Sequence, residues 1–203
     1  MKELGRPPRL AVEVGSYIGS GAVNVWGALA LIPWAGDGDG DGDGDSKEGA
    51  QRLVLCVDSW QPGGSMRLGG HTNLPTGPKL LPLTPGGFPT VGESVFLRRV
   101  ASERLTEVVY PVPIAAQGGA RLIYLLGYRV DVVYLDTAHE RGETLAEVHL
   151  YYQLLTPGGL LIGDDIDTSF EAVGDDIRMF AKCQNAILEI MEDGVHWFIR
   201  KAI

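Results

Sequence analysis

Two short apolar runs, each ending in carboxylate and separated by a helix-like stretch, constrain this chain more than any other feature. The first is Val130-Asp-Val-Val-Tyr-Leu-Asp136; the second is Gly158-Gly-Leu-Leu-Ile-Gly-Asp164-Asp165. Parallel strands need a crossover of a dozen or more residues between them, and the 28 positions from Asp136 to Asp164 leave room for one. The pattern predicts a βαβ unit whose two strands are neighbours with their C-terminal ends on one edge. Ligands of open α/β sheets bind at that edge. Neighbouring strands sit about 4.8 Å apart, so Asp136, Asp164 and Asp165 are expected to converge. Three carboxylates in one small volume repel one another unless a cation joins them or a proton is taken up.

The rest of the chain repeats the alternation. Strands are predicted over 9–14, 53–57, 107–112, 130–135 and 160–163, and a terminal hairpin over 186–191 and 195–200, turning at Asp193-Gly194. Helices are predicted over 22–32, 92–105, 115–127, 140–155 and 171–183. In the third of these, Leu122, Ile123, Leu125 and Leu126 read as the buried stripe; in the fourth, Leu145, Val148, Tyr152 and Leu155 share a face, and Pro157-Gly158-Gly159 ends the helix. Alternating strands and helices imply a doubly wound, mostly parallel sheet. The closing hairpin makes it a mixed seven-stranded α/β sheet, an ending foreign to plain dinucleotide-binding folds. One domain over 1–203 is expected, interrupted by a Gly/Asp-rich insertion at 36–50 and a Pro/Gly-rich loop at 60–90.

Composition narrows the partners. A formal charge of −9 and a pI near 4.9 argue against nucleic acid, whose phosphates call for a basic patch. No apolar run is long enough for a membrane span, and Met1 to Arg9 has no signal-peptide core. Cys56 and Cys183 read as buried free thiols, which fits a reducing, cytoplasmic setting. A small-molecule ligand is the expected partner, and a homo-oligomer is compatible with the sequence.

Glu13-Val-Gly15-Ser16-Tyr-Ile-Gly19 follows a strand and opens a helix. Glycines there let a ligand approach the backbone, although ordinary tight βα turns look the same. A nicotinamide fingerprint would need glycine at positions held by Tyr17 and Ser20, and a Walker loop would need a lysine. Asp58 ends the second strand. An acid about 20 residues beyond the glycine loop accepts ribose hydroxyls in such folds. The gap from Gly19 is 39 residues, and 24 without the 36–50 insertion. That insertion fits a calcium-loop skeleton at Asp37, Asp39, Asp41, Gly42 and Glu48, but Gly44 and Pro33 break the pattern, and composition favours an acidic linker. His139, three residues past Asp136, reads either as a general base or as a hydrogen-bonded helix-start residue. His71, His149 and His196 show no partner pattern, and Glu140, Glu143 and Glu147 read as a solvated helix face.

Taken together, these residues resemble class I S-adenosylmethionine-dependent methyltransferases over most of the chain from Leu10 to Ile203. Glu13-Val-Gly-Ser-Tyr-Ile-Gly-Ser-Gly21 is similar to their first motif, and Asp58-Ser-Trp60 to the acidic end of their second strand. Tyr134-Leu-Asp-Thr-Ala-His-Glu140 and Leu154-Leu-Thr-Pro-Gly-Gly-Leu-Leu-Ile-Gly-Asp-Asp165 resemble the subgroup of metal-dependent small-molecule O-methyltransferases and cephalosporin-hydroxylase-type proteins; Ala172-Val173, Asp176 and Phe180 fit its next helix. The resemblance implies S-adenosyl-L-methionine over the glycine turn. Gly15 and Gly19 would allow close approach, Glu13 would engage the amino-acid end and Asp58 the ribose, with Ser16 and Trp60 in the same motifs. It also implies a divalent ion, usually magnesium, at Asp136, Asp164 and Asp165, beside a small-molecule hydroxyl acceptor. Asp136 and His139 are the candidates for taking the hydroxyl proton. Helices that precede the first strand in such proteins are expected to be missing or truncated here. A donor-binding protein without catalysis, a calcium-responsive module and a nicotinamide oxidoreductase are the competing readings.

Overall fold

The computed structural model describes residues 8–27, 52–60, 91–137, 139–166 and 170–203. The expected insertion at 36–50, almost all of the 60–90 loop, His71 and the second half of the predicted 22–32 helix lie outside the described residues. Ala22–Gly27 is a π-helical stretch.

Seven strands form one sheet: β1 (Leu10–Val14), β2 (Leu53–Asp58), β3 (Val109–Pro113), β4 (Val130–Leu135), β5 (Leu155–Gly163), β6 (Leu188–Ile190) and β7 (Trp197–Arg200), in the order β3-β2-β1-β4-β5-β7-β6. The first five pair in parallel, and β7 runs antiparallel to both β5 and β6. Asp193 closes the hairpin by accepting the Val195 and His196 N–H groups, each at 2.9 Å. The sheet is the mixed, mostly parallel one the alternation predicts. From β1 the chain steps outward to β2 and β3, then returns to β4 on the other side of β1. That reversal is the topological switch point, where such folds leave a crevice.

Helices α1 (Val91–Ser102), α2 (Ala116–Leu125), α3 (Glu143–Leu154) and α4 (Glu171–Gln184) cover both faces. Strand alternation separates two cores. Val12, Val14, Val57, Val133 and Leu161 pack with Ile123, Val148, Tyr151, Ile177 and Phe180 of α2, α3 and α4. On the other face Ala11, Val54, Cys56 and Val132 pack with Ala22, Val23, Phe96 and Val100.

Several expectations need correction. On α2, Ile123 is buried, but Leu122, Leu125 and Leu126 are 40%, 69% and 58% exposed. Gly119 and Ala120 face the sheet instead. A Cβ on Gly119 would lie 2.4 Å from a Val57 methyl, so the helix sits too close for a leucine. Residues 116, 119, 120 and 123 and residues 122, 125 and 126 obey the same helical spacing, and close approach selects the small ones.

Pro157-Gly158-Gly159 does not end α3; it lies inside β5. The pairing steps from Val130↔Leu155 to Val132↔Leu160, a bulge that absorbs these residues, with Gly158 at φ +76°. The helix ends three residues earlier, where the Lys201 ammonium donates to the carbonyls of Tyr152, Gln153 and Leu155 at 2.9–3.2 Å. Cys56 is buried as expected, whereas Cys183 is exposed. Glu147 is no part of a solvated face: it is 3% exposed. His196 has a partner, with its Nδ1 2.7 Å from Asp193 Oδ2. No helix among the described residues is long and apolar enough to cross a membrane.

Candidate functional site

The glycine turn leaves β1 at the switch point and leans directly on the acidic turn leaving β4. The Gly15 N–H donates to Val57 O, and the Asp136 N–H to Val14 O, both at 2.9 Å. Gly15 has φ +89°, and a Cβ there would fall 1.6 Å from the Asp136 carbonyl oxygen. Only glycine can hold this position. Cβ atoms on Gly19 and Gly21 would likewise meet the Phe96 ring at 2.8 Å and Glu13 Oε1 at 2.0 Å. The missing side chains make room here for protein atoms.

Glu13 sits beneath that turn, 3% exposed. Burial pushes its carboxyl up to about 7, the nearby Asp136 and Asp58 add to the rise, and Ser16 tempers it. Glu13 Oε2 and Ser16 Oγ are buried without a hydrogen bond of good geometry. Asp58, at the end of β2, accepts the Tyr17 N–H at 2.8 Å and the Trp60 N–H at 2.6 Å. Burial raises its pKa despite those two bonds. Trp60 is packed against Phe96 with centroids 5.1 Å apart, and its indole N–H donates to the Tyr17 carbonyl. Glu13, Gly15, Ser16, Gly19, Asp58 and Trp60 thus surround one turn. Two orphaned polar atoms and a carboxylate with lone pairs to spare leave this turn with hydrogen-bonding capacity the protein itself does not fill.

The acidic cluster forms as strand pairing dictates. Leu135 pairs with Gly163, which sets Asp136 beside Asp164. Consecutive residues of an extended strand point to opposite faces. The chain leaves that geometry after Gly163, and Asp165 adopts φ +59°. Ligand atoms of Asp136, His139, Asp164 and Asp165 all lie within 4.8 Å of one another. His139 is also left-handed, at φ +62°. Such backbone costs on the order of 1–3 kcal/mol and gathers at functional sites.

The histidine Nε2 is 3.0 Å from Asp165 Oδ2 and 3.4 Å from Asp136 Oδ1, too poorly aligned for a hydrogen bond to either. Its ring stacks on Phe170, with centroids 4.4 Å apart and planes at 22°. Burial pulls the His139 pKa down, but Asp136, Asp165 and Asp164 more than offset it, and the net shift is upward. Asp164 is driven up to about 7, first by burial and then by the charges of Asp136 and Asp165. Its Oδ1 is buried and unpartnered. Converging oxygens, an imidazole edge and an excess of negative charge together fit a divalent cation.

The loop carrying Asp136 and His139 is pinned from behind. Thr137 donates its hydroxyl to Glu147, whose carboxyl burial lifts to about 7. Asp176 of α4 accepts the Gly142 and Leu145 N–H groups at 2.7 and 3.2 Å, capping α3 from a neighbouring helix. Sequence reasoning missed the roles of Thr137, Glu147 and Phe170. In sequence Glu147 reads as part of a solvated face with Glu140 and Glu143, so no local signal marks these roles.

No family model matches this chain, and no curated protein does. Solved structures match it over nearly its whole length. An O-methyltransferase from Bacillus cereus in complex with SAH is 14% identical, with a TM-score of 0.56 over 97% of this chain and 74% of the other. The O-methyltransferase TomG from Streptomyces achromogenes, involved in tomaymycin synthesis and solved with SAM, is 13% identical, with 0.57 over 99% and 77%. CalS11, a TDP-rhamnose 3'-O-methyltransferase of calicheamicin biosynthesis, is 15% identical, with 0.61 over 98% and 74%. The fold is the Rossmann-like methyltransferase fold expected from the sequence. These three neighbours are O-methyltransferases, two of them solved with SAM or SAH.

Proposed function

We propose that this protein transfers a methyl group from S-adenosylmethionine to a hydroxyl of a small molecule, assisted by a divalent metal, with magnesium the first candidate. The observation that carries the reading is the position of the Asp136–His139–Asp164–Asp165 cluster, directly against the glycine turn at the switch point of this fold.

Glu13 and Ser16 would hold the amino-acid end of the donor, and Asp58 the ribose. The donor supplies a methyl carbon made electrophilic by its sulfonium. A divalent ion held by Asp136, Asp164 and Asp165 supplies charge that favours the ionised form of a nearby hydroxyl. His139 takes the hydroxyl proton at Nε2, which faces Asp165 at 3.0 Å and Asp136 at 3.4 Å, and those carboxylates stabilise the resulting imidazolium. The oxygen–carbon bond forms as the sulfur–carbon bond breaks. The chain's own contribution is to fix proton acceptor and donor side by side on rigid strand ends.

Incubating the protein with labelled donor, a divalent ion and a panel of hydroxyl compounds tests this. Transfer is expected with at least one acceptor. An Asp164→Ala, Asp165→Ala variant should lose transfer while binding the donor within a few-fold of wild type by calorimetry. Full activity in that variant, or in excess chelator, would remove the metal from the mechanism. Donor binding without turnover across the panel would leave a non-catalytic protein of the same fold.

A further inference from the structure

Tyr134 lies outside the residues assigned above, yet it is the side chain that reaches Asp164 from the neighbouring strand. Register places it between Glu13 on β1 and Ile162 on β5, so it shares a sheet face with Ala11, Glu13 and Cys56. Asp164 lies two residues beyond Ile162, about 6.6 Å further along at a rise of about 3.3 Å per residue. Strand side chains lean along the strand direction, and the tyrosine is long enough to span that gap. Its hydroxyl donates to Asp164 Oδ2 at 3.3 Å.

The main chain of Asp164 is held independently. The Trp197 indole N–H donates to its carbonyl oxygen at 3.1 Å. A Cβ on Gly163 would lie 2.4 Å from the same indole, so the ring packs flush against the strand end. Backbone and one carboxylate oxygen are therefore both tied, and the remaining rotation of the carboxylate is set by Tyr134. Oδ1, the oxygen left over, is buried and free of hydrogen bonds.

We propose that Tyr134 is a positioning residue: its hydroxyl fixes the Asp164 carboxylate so that Oδ1 is presented to a divalent cation shared with Asp136 and Asp165. The proposal rests on the metal reading above. It adds a division of labour within one carboxylate, in which Oδ2 orients and Oδ1 binds. Removing a partner that orients a metal ligand typically weakens binding about 10- to 100-fold. A 3.3 Å bond is long for two oxygens, so the lower end applies.

The test is titration of the full chain with Mn2+ alone, followed by electron paramagnetic resonance of the free ion. Tyr134→Phe keeps the ring and loses only the hydroxyl, and should bind Mn2+ about tenfold more weakly than wild type. Tyr151→Phe is the control. It loses a hydroxyl that donates to Ala116 O at 2.8 Å on the opposite face, and should leave Mn2+ affinity unchanged. An affinity for Tyr134→Phe within twofold of wild type, or an equal loss in Tyr151→Phe, would overturn the positioning role while leaving the metal site standing. Absence of Mn2+ binding by the wild type would overturn both.

Discussion

Glu147→Gln should make the protein less sensitive to rising pH. Glu147 is 3% exposed, and burial lifts its carboxyl to about 7 from an ordinary 4.5, with Glu143 adding to the rise and the Thr137 hydroxyl working against it. A raised carboxylate means that the folded state holds a proton the unfolded state releases. Its contribution to stability is complete below pH 4.5 and is lost as pH climbs through 7. Each pH unit of separation is worth about 1.4 kcal/mol, so ionisation of Glu147 costs the folded state roughly 3 kcal/mol above pH 8. Glutamine has the same shape, still accepts the Thr137 hydroxyl and never ionises. The variant should therefore gain about 3 kcal/mol on wild type between pH 4.5 and pH 8. Urea unfolding of both proteins at half-unit intervals, in chelator, measures the difference. Taking it cancels Glu13 and Asp164, whose pKa values are also raised. A difference that stays flat across that window would show that Glu147 is solvated or already ionised, and the burial reasoning would fail.

Three further outcomes follow from the packing. Ile123→Ala should cost about 2–5 kcal/mol in urea unfolding, whereas Leu125→Ala, on the 69% exposed side of the same helix, should change stability by less than about 0.5 kcal/mol. Gly15→Ala should fail to give a native circular dichroism spectrum, because its Cβ would overlap the Asp136 carbonyl at 1.6 Å in a left-handed backbone; folded, stable protein would contradict that contact. Lys201→Met should lower the unfolding free energy by about 1–2 kcal/mol through loss of the charged cap on α3, with equal stability as the refuting result.

The strands were legible because their signals are local and doubly determined. β4 (Val-Asp-Val-Val-Tyr-Leu) and the second half of β5 are mostly apolar and each is followed by Asp, and a parallel sheet covered on both faces demands largely apolar runs. The acidic cluster was legible for the same reason: once the two strands are neighbours, their ends have nowhere else to meet. The buried face of α2 was not. Two stripes fit its period, and the choice fell to a distance between helix and sheet that no periodicity encodes. The Pro-Gly-Gly run is ambiguous in sequence because a helix stop and a strand bulge use the same residues.

By itself the sequence determined the doubly wound α/β class, the closing hairpin, and the meeting of Asp136, Asp164 and Asp165 at one edge. Spacing and residue type suffice for these, since strand pairing converts positions along the chain into positions in space. Only the tertiary structure decided that the glycine turn rests on the Asp136 carbonyl, that Glu147 is buried behind Thr137, that His139 and Asp165 turn left-handed into the cluster, and that Tyr134 reaches Asp164. Each depends on how closely separate segments approach and on how side chains divide their hydrogen bonds. Those quantities exist only once the chain is packed.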